Sequence, residues 1–306
     1  MHVEPTALSR LRAFELPART FRIVADLSTL ALWLIVSTGA VVRLTGSGLG
    51  CDHWPGCEPG RPFPEKDYHA YIEFGNRMVG GVTIAITLAL AASAFLVRGL
   101  PRWARWTAVG VAAGTIAQAP LGAIAVYTHL NPLAVAPHLV LSIVVLGASV
   151  VVALEARLLR TGHGTALARE ARLVALAIAA ANLVLVVAGT LTTAAGPHSG
   201  GTHVARVGSL DTALVVHGAT VAIFGCGLVF LLGWLYAHRS ELGWYLRATI
   251  ALIVLVLVQM ALGDVQYRTH LPWWLVLVHV ALAATVSAYA VALVALMWRP
   301  PASRSA

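Results

Sequence analysis

The sequence predicts an all-α membrane protein whose eight transmembrane helices form two pseudo-symmetric four-helix bundles. Three observations lead to this prediction: an apolar composition, eight apolar runs of spanning length, and an internal repeat. Of the 306 residues, 58% are hydrophobic and 11% are charged, whereas soluble domains carry about 25% charged residues. The composition therefore excludes an ordinary soluble domain. The net charge of +8 is not gathered into a patch of the kind that binds nucleic acid.

Eight apolar runs are long enough to cross about 30 Å of hydrocarbon. The predicted spans are 23–42, 70–97, 105–127, 133–154, 173–194, 209–236, 245–266 and 273–298. The connecting segments are alternately rich and poor in arginine, and the arginine-rich ones are expected in the cytoplasm. Both termini are then cytoplasmic, and the loops 44–69 and 195–208 lie outside. The polar first 22 residues lack the apolar run and cleavage site of a signal peptide.

Part of the chain repeats at a constant offset of 141 residues. The segment QAPLG…THL…H recurs as QMALG…THL…H. The matching pairs are Gln118 and Gln259, Leu121 and Leu262, Gly122 and Gly263, His129 and His270, Leu130 and Leu271, and His138 and His279. The first and fifth predicted helices match at an offset of about 150, TGAVVRLTGSG against AGTLTTAAGPH. Because both copies start on the same side, we infer a parallel duplication of four helices.

The repeat divides the chain into two halves. The predicted parts are a cytoplasmic tail (1–22), an N-terminal half (23–155) with the outer loop 44–69, a cytoplasmic linker (156–172), a C-terminal half (173–298) and a cytoplasmic tail (299–306). Each half is expected to be a bundle of four helices packed beside the other.

Three histidines fall inside predicted helices at one depth, roughly 10 Å from the outer end. They are His138, His217 and His279. A lone intramembrane histidine is often a helix-to-helix hydrogen bond, but facing imidazoles are also how four-helix bundles hold haem iron. Small residues follow His217 and His279, and no Cys, Asp or Glu lies nearby to complete a zinc or di-iron site. We expect these two histidines to bind one haem in the C-terminal half.

The N-terminal half differs at the equivalent positions. At the 141-residue offset, His279 corresponds to His138, but His217 corresponds to Asn76. One half thus has two candidate axial ligands, and the other has one histidine facing an amide. An iron with two imidazole ligands is typical of an electron carrier. An iron with one imidazole keeps a vacant position, which favours a site where a reaction takes place.

The stretch IEFGNR places further polar groups beside Asn76. Glu73 precedes Asn76 by three residues and so shares its helix face, and its repeat partner, Leu214, is apolar. Arg77 could pair with Glu73 or with a haem propionate. The carboxylate is a candidate catalytic group, and the alternative is that Glu73 and Arg77 neutralise each other at the membrane interface.

Taken together, these motifs resemble the haem A synthases over nearly the whole chain. The resemblance rests on GAVVRLTGSGLGCDHWPGC after the first helix, IEFGNR opening the second, GPH after the fifth, and the histidines near the starts of the fourth, sixth and eighth. It implies an oxidoreductase that converts a ring methyl of haem O to a formyl group by successive hydroxylations. By position, it implies haem b on His217 and His279, substrate haem on His138, and Glu73 as the catalytic carboxylate.

The resemblance has further implications and one departure. Many relatives have histidine where this chain has Asn76, so the substrate iron is not expected to have two imidazoles. His69 lies roughly 10 Å further out on the same face, too far to replace it. His129 and His270 either touch the haem pockets or are solvated loop residues. The implied setting is a bacterial cell membrane with the haem sites toward the outer leaflet. The expected partners are the lipid bilayer, the haem O substrate, haem O synthase and an electron donor or acceptor; the sequence leaves open whether the chain forms a homo-oligomer.

Cys51 and Cys57 flank DHWPG in the long outer loop. On the oxidising side of a bacterial membrane they suit a disulfide, and the Pro-Gly turn would bring them together. A dithiol that relays reducing equivalents, proposed for loop cysteines of the resembling family, is the open alternative. The loop after the fifth helix lacks the cysteine pair of some relatives. Cys226 is expected to be a buried small hydrophobe.

Two other functions stay open from the sequence. The first is a membrane cytochrome b that exchanges electrons with quinone, which would need two bis-imidazole haems. The second is a haem transporter or chaperone without chemistry. Asn76 argues against the first, and a carboxylate confined to one half argues against the second.

Overall fold

The computed structural model describes residues 15–51, 53–58, 60, 63–64, 67–198, 204 and 206–302. Within them the chain forms eight helices: α1 (Ala18–Leu44), α2 (Tyr68–Leu96), α3 (Arg102–Tyr127), α4 (Pro132–Thr161), α5 (Arg169–Ala195), α6 (Leu210–Ala237), α7 (Arg239–Arg268) and α8 (Trp273–Trp298). All eight are long and apolar enough to cross a membrane. The described residues hold two isolated β-bridges and no strand. The predicted all-α, eight-span membrane protein is confirmed.

Several helices extend beyond the predicted apolar runs. Helix α1 begins at Ala18, directly after Pro17, rather than at residue 23. Helix α4 continues to Thr161, beyond residue 154. The added turns contain arginines, and long basic side chains are tolerated near the ends of spans because their aliphatic stems can cover apolar surface. Part of the predicted tail 1–22 is therefore helical, and its first 14 residues lie outside the described residues.

Three of the helices that carry candidate site residues have side-chain caps at their starts. The Asp67 carboxylate accepts a hydrogen bond from the Ala70 amide at the start of α2. Asn131 caps α4 through the Leu133 amide, and Ser209 caps α6 through the Thr212 amide. Such caps satisfy backbone donors that the first turn of a helix leaves unpaired. These caps hold the first turns of α2, α4 and α6 in place, and so help to position Glu73, His138 and His217 on those helices.

The helices pack as two four-membered rings. In the N-terminal half α1 contacts α2 and α4, and α3 also contacts α2 and α4; in the C-terminal half α5, α6, α7 and α8 pack in the same order. Between the halves, α4 contacts α8, α1 contacts α8, and α4 contacts α5. Exchanging α1–α4 with α5–α8 leaves the contact between α4 and α8 unchanged. It turns the contact between α1 and α8 into the contact between α5 and α4. This pattern is what a two-fold relation requires, and the two-fold itself stays a prediction. We call the end with loop 45–67 the outer end, and the opposite end the inner end.

Cys226 was expected to be buried, and this prediction is wrong because its side chain is exposed on α6. The same helix also exposes Ile223, Val229 and Phe230. In a soluble protein such apolar side chains would face the core. In a membrane span they face hydrocarbon equally well, so an apolar residue on α6 does not indicate which side is buried.

A buried carboxylate joins the two halves at the inner end. Glu155 of α4 is 3% exposed and accepts hydrogen bonds from Arg299 Nε at 2.5 Å and Nη2 at 3.4 Å. Arg299 follows the last turn of α8, and its Nη2 also lies 2.9 Å from Nε2 of His163 in the linker. The linker and the C-terminal segment meet at a backbone bridge between His163 and Pro301. The ion pair thus connects α4, the linker and the end of α8.

Replacing Arg299 by Gln should destabilise the protein. The change leaves the Glu155 carboxylate buried without its cation, and breaking a fully buried pair costs roughly 3–5 kcal/mol. Because Arg299 is about a third exposed, we expect about 2 kcal/mol, measured by thermal unfolding in detergent. The control is Arg98→Gln, which removes an exposed pair with Glu15. Equal unfolding temperatures for the two variants would contradict the importance of the Glu155 pair.

Candidate functional site

The repeated THL motif folds into the same turn in both halves. His129 and Leu130 have φ angles of 52° and 59°, and His270 and Leu271 have 61° and 57°. The Leu130 amide donates to the Ala125 carbonyl at 2.7 Å, and the Leu271 amide donates to the Gln266 carbonyl at 2.7 Å. Two successive non-glycine residues in the left-handed region are uncommon. The motif therefore fixes how α4 and α8 each begin.

The repeated glutamines contact the histidines of the following helices. Gln259 of α7 donates from Nε2 to the His279 carbonyl at 2.9 Å. With its amide oriented to satisfy its neighbours, Gln118 of α3 donates to His138 Nδ1 at 3.0 Å and to the His138 carbonyl at 3.2 Å, and accepts from the Ser142 amide at 3.0 Å. In the sequence, these glutamines marked only the repeat and were not predicted to contact the histidines. Their recurrence at a fixed distance from each histidine was the signal for this contact.

A glycine on a neighbouring helix lies against each histidine ring. A Cβ on Gly189 of α5 would lie 3.2 Å from Cε1 of His217, and one on Gly263 of α7 would lie 3.3 Å from Cε1 of His279. The corresponding distance from Gly122 of α3 to His138 Cε1 is 3.7 Å. The rings of His217 and His279 therefore pack directly against helix backbone, where no larger residue fits without movement.

His217 and His279 occupy diagonal helices of the C-terminal ring, α6 and α8. The two imidazoles lie close enough to interact electrostatically. Each has a buried Nδ1 with no hydrogen-bond partner, and buried polar atoms without partners are rare. The described residues contain no group of three or more His, Cys, Asp or Glu that could hold a bare metal ion. Two half-buried imidazoles on diagonal helices, each packed against a glycine backbone, fit a group held by axial histidines.

Asn76 and His138 occupy the equivalent diagonal helices of the N-terminal ring, α2 and α4. The Asn76 side-chain oxygen accepts a hydrogen bond from Thr38 Oγ1 of α1 at 2.8 Å. Pro137, immediately before His138, lacks the amide hydrogen that an α-helix needs at that position. The N-terminal site therefore differs from the C-terminal one in its ligand side chain and in the backbone next to its histidine.

Glu73 is enclosed by Arg77 and the outer loop. It is 5% exposed; Oε1 accepts from Arg77 Nη2 at 2.5 Å, and Oε2 accepts from the Cys51 amide at 2.9 Å. Arg77 Nη1 donates to the carbonyls of His53 at 2.7 Å, Pro55 at 3.3 Å and Gly56 at 2.6 Å. Glu73 and Arg77 do pair with each other, and together they bind the cysteine loop. These contacts already engage Arg77, which was expected to reach either Glu73 or a propionate.

The outer loop is closed by a disulfide between Cys51 and Cys57, with an S–S distance of 2.09 Å. Both cysteines are buried and pack against Ala70 at the start of α2. A Cβ on Gly50 would lie 2.5 Å from the His69 carbonyl carbon, so glycine permits close contact between the loop and α2. The predicted disulfide is confirmed, and the loop lies directly over Glu73.

The remaining outer histidines have local partners. His69 Nδ1 lies 2.9 Å from the Ser47 hydroxyl, so its ring is engaged by the segment after α1. His198, from the GPH motif, donates from Nε2 to the Leu271 carbonyl at 2.7 Å. The loop after α5 is thereby joined to the THL turn before α8.

Comparison with known proteins supports the resemblance found in the sequence. Residues 61–199 match the family model of the cytochrome oxidase assembly protein COX15-CtaA. The chain is 34% identical to the haem A synthase of Bacillus pumilus over 125 residues, which is 40% of each chain. It is 35% identical to the Bacillus licheniformis enzyme over 119 residues, or 39% of each chain. It is 33% identical to the Geobacillus thermodenitrificans enzyme over 100 residues, which is 32% of this chain and 31% of the relative.

The matches extend over about two fifths of the length of the two Bacillus relatives. The matched segment 61–199 contains Glu73, Asn76, Arg77 and His138. His217 and His279 lie beyond it, and the disulfide lies before it. The resemblance to this family is confirmed for the matched segment, and over the rest of the chain it stays a prediction.

If His217 and His279 hold a haem, as the sequence predicts, enlarging the glycine beside a histidine ring should weaken its retention. Gly189→Val would crowd the His217 ring, and overpacking costs about 1–3 kcal/mol, or about tenfold in affinity. Haem content and the Soret band of the purified protein measure the effect. Gly225→Val is the control, because nothing lies within 4 Å of a Cβ at that position of α6. Equal haem content in both variants would contradict the ring packing.

Proposed function

We propose that this chain is a haem A synthase, which oxidises a ring methyl of haem O to a formyl group through successive hydroxylations. The observation that carries the proposal is the family match over residues 61–199, which contains the candidate residues of the N-terminal half. The similarity to curated haem A synthases over about two fifths of the chain supports it. Haem O is then the substrate, and its supplier would be a haem O synthase.

The proposed orientation places both termini in the cytoplasm and the haem sites in the outer leaflet. Arginines support it: they are concentrated in the segments at the inner end and sparse at the outer end. His138 and His279 are six residues after the first residue of their helices, and His217 is seven after. At 1.5 Å per residue, these positions are roughly 10 Å inside the outer end. The divisions 23–155 and 173–298 correspond to the two proposed haem sites.

The C-terminal half would hold haem b between His217 and His279. Their diagonal helices and flanking glycines support this assignment. When bound, haem b would supply one-electron transfer. The chain's own contribution is to hold the two imidazoles in place, because Gly189 and Gly263 admit their rings and Gln259 binds the His279 backbone. An external electron partner, not yet identified, would exchange electrons with this half.

The N-terminal half would bind the substrate through His138. Gln118 orients the ring by its contact with Nδ1. A ligating imidazole carries its remaining proton on the nitrogen away from the metal, so ligation through Nε2 would turn the Gln118 amide oxygen toward Nδ1. Asn76, held by Thr38 on the opposite side, is a much weaker iron ligand than imidazole. One face of the substrate would therefore remain open for the reaction.

Glu73 is the proposed catalytic carboxylate, placed one turn outward from Asn76 on the same helix. A carboxylate here could accept a proton or stabilise positive charge while the methyl group is oxidised. Arg77 and the Cys51 amide hold its two oxygens in fixed directions. The disulfide loop covers Glu73, so it also limits the access of water to the carboxylate.

Two other functions predict different haem contents. A quinone-linked cytochrome b or a haem carrier would purify with haem b alone. A haem A synthase, expressed together with a haem O synthase, would purify with haem A or a hydroxylated haem O as well. Acid extraction and chromatography of haem from the purified protein separate these outcomes. Haem b as the sole species under these conditions would reject the proposal.

Replacing His217 or His279 by Ala should remove one axial ligand of the haem in the C-terminal half. The expected result is conversion of a low-spin to a high-spin spectrum, or loss of that haem. Optical and electron paramagnetic resonance spectra provide the measurement. His238→Ala is the control, because His238 stacks on Trp234 at the inner end. Low-spin spectra at full occupancy in both ligand variants would show that the ligand assignment is wrong.

Glu73→Gln should preserve haem b and lower haem A formation about 10²-fold or more, the usual contribution of a positioned proton-transfer group. Glutamine keeps the shape and can still accept from the Cys51 amide. Haem A produced per bound haem b measures the effect. The control is Asp264→Asn, which breaks an exposed pair with Arg268 at the same end. Haem A formation at the unmodified level would exclude a catalytic role for Glu73.

A further inference from the structure

Arg43 is a cation at the junction of the two halves. It lies in the last turn of α1 and donates from Nη2 to the Thr193 carbonyl of α5 at 2.8 Å. Its Nε is buried and has no hydrogen-bond partner. Among the described residues, no carboxylate forms an ion pair with it. A buried charge without a counter-ion is costly in a membrane span, so this guanidinium fits an anionic ligand.

Arg43 lies near both candidate haem sites. Thr193 is one turn outward from Gly189, whose backbone packs against the His217 ring. Arg43 also lines a small cavity with Val135 and Ala136 of α4, about one turn outward from His138. Its hydrogen bond, however, is to α5 of the C-terminal half, the helix whose Gly189 contacts His217. A group held by His217 and His279 could therefore extend outward to Arg43.

In the repeat, only the N-terminal half has an arginine at the position of Arg43. At the offset of about 150 residues, Arg43 corresponds to Thr193, the residue whose carbonyl it binds. The N-terminal half thus contributes a cation to the junction, and the C-terminal half contributes a backbone acceptor. The C-terminal half has no arginine of its own at this position.

The other described cations at the outer end are engaged or exposed. Arg77 binds Glu73 and the cysteine loop. Arg268 pairs with Asp264, and Arg206 is exposed in the loop before α6. Within the described part of the chain, Arg43 is the outer-end cation that is half-buried between the halves, with a buried Nε.

We propose that Arg43 of the N-terminal half binds a propionate carboxylate of the haem held by His217 and His279 in the C-terminal half. The inference rests on the proposed haem b site. A guanidinium with free donors suits a carboxylate, and charge-assisted hydrogen bonds of this kind are strong. A cation beside the haem also favours the reduced, less positively charged iron. Arg43 is thus a haem-binding residue that makes the C-terminal site depend on the N-terminal half.

The test compares Arg43→Gln, Arg43→Lys and Arg206→Gln in the full-length, haem-loaded protein. Arg43→Gln should make the midpoint potential of the low-spin haem more negative and speed haem transfer to apomyoglobin about tenfold, the loss of one charge-assisted hydrogen bond. Arg43→Lys should stay close to the unmodified protein in potential, because it keeps the charge. Arg206→Gln should change neither property. Unchanged potential and haem transfer in Arg43→Gln would overturn the proposal.

A second comparison separates haem binding from a structural role. The variant His217→Ala, His279→Ala should lack this haem, and Arg43→Gln added to it should lower the unfolding temperature less than it does in the haem-loaded protein. Equal losses in both backgrounds would show that Arg43 acts on the fold alone and would overturn the inference. Absence of any low-spin haem b from the unmodified protein would instead reject the proposed function on which the inference rests.

Discussion

A polar group inside hydrocarbon needs a partner within the protein, and the polar contacts of this structure follow from that requirement. The Glu155 carboxylate is paired with Arg299, and Glu73 is paired with Arg77. Trp33 of α1 donates its indole hydrogen to Thr285 of α8 at 3.0 Å. Glu155 and Trp33 also join elements from different parts of the chain. Some of the few polar side chains among the apolar spans therefore link separate helices of the bundle to one another.

The same requirement explains how the two halves differ. In the C-terminal half, His217 and His279 keep buried nitrogens without partners. In the N-terminal half, Asn76 is bonded to Thr38 and the His138 Nδ1 is bonded to Gln118. The polar side chains at the two equivalent positions of the N-terminal half are therefore engaged within the protein, whereas the Nδ1 atoms of the C-terminal half are not.

Sequence alone predicted the spans and the candidate residues but not their contacts. The span count was predictable because apolar runs of spanning length are long and distinct, and the disulfide followed from two nearby cysteines. The ends of α1 and α4 were misplaced because helices continue through polar residues at the membrane surface. Cys226 was misjudged because an apolar residue in a span can face either lipid or protein. The bond from Arg43 to Thr193 joins residues 150 positions apart, and such a contact depends on how the halves pack.

The left-handed THL turns make the chain intolerant of changes in length. His138 lies nine positions after His129, and His279 lies nine positions after His270. The turn fixes the position of the first histidine of each pair, and the helical residues between them set the position of the second. One inserted or deleted residue within either stretch would rotate the rest of the helix by about 100° and shift it by about 1.5 Å. The histidine would then leave the face where Gln118 or Gln259 meets it, while substitutions elsewhere in the stretch would leave that register intact.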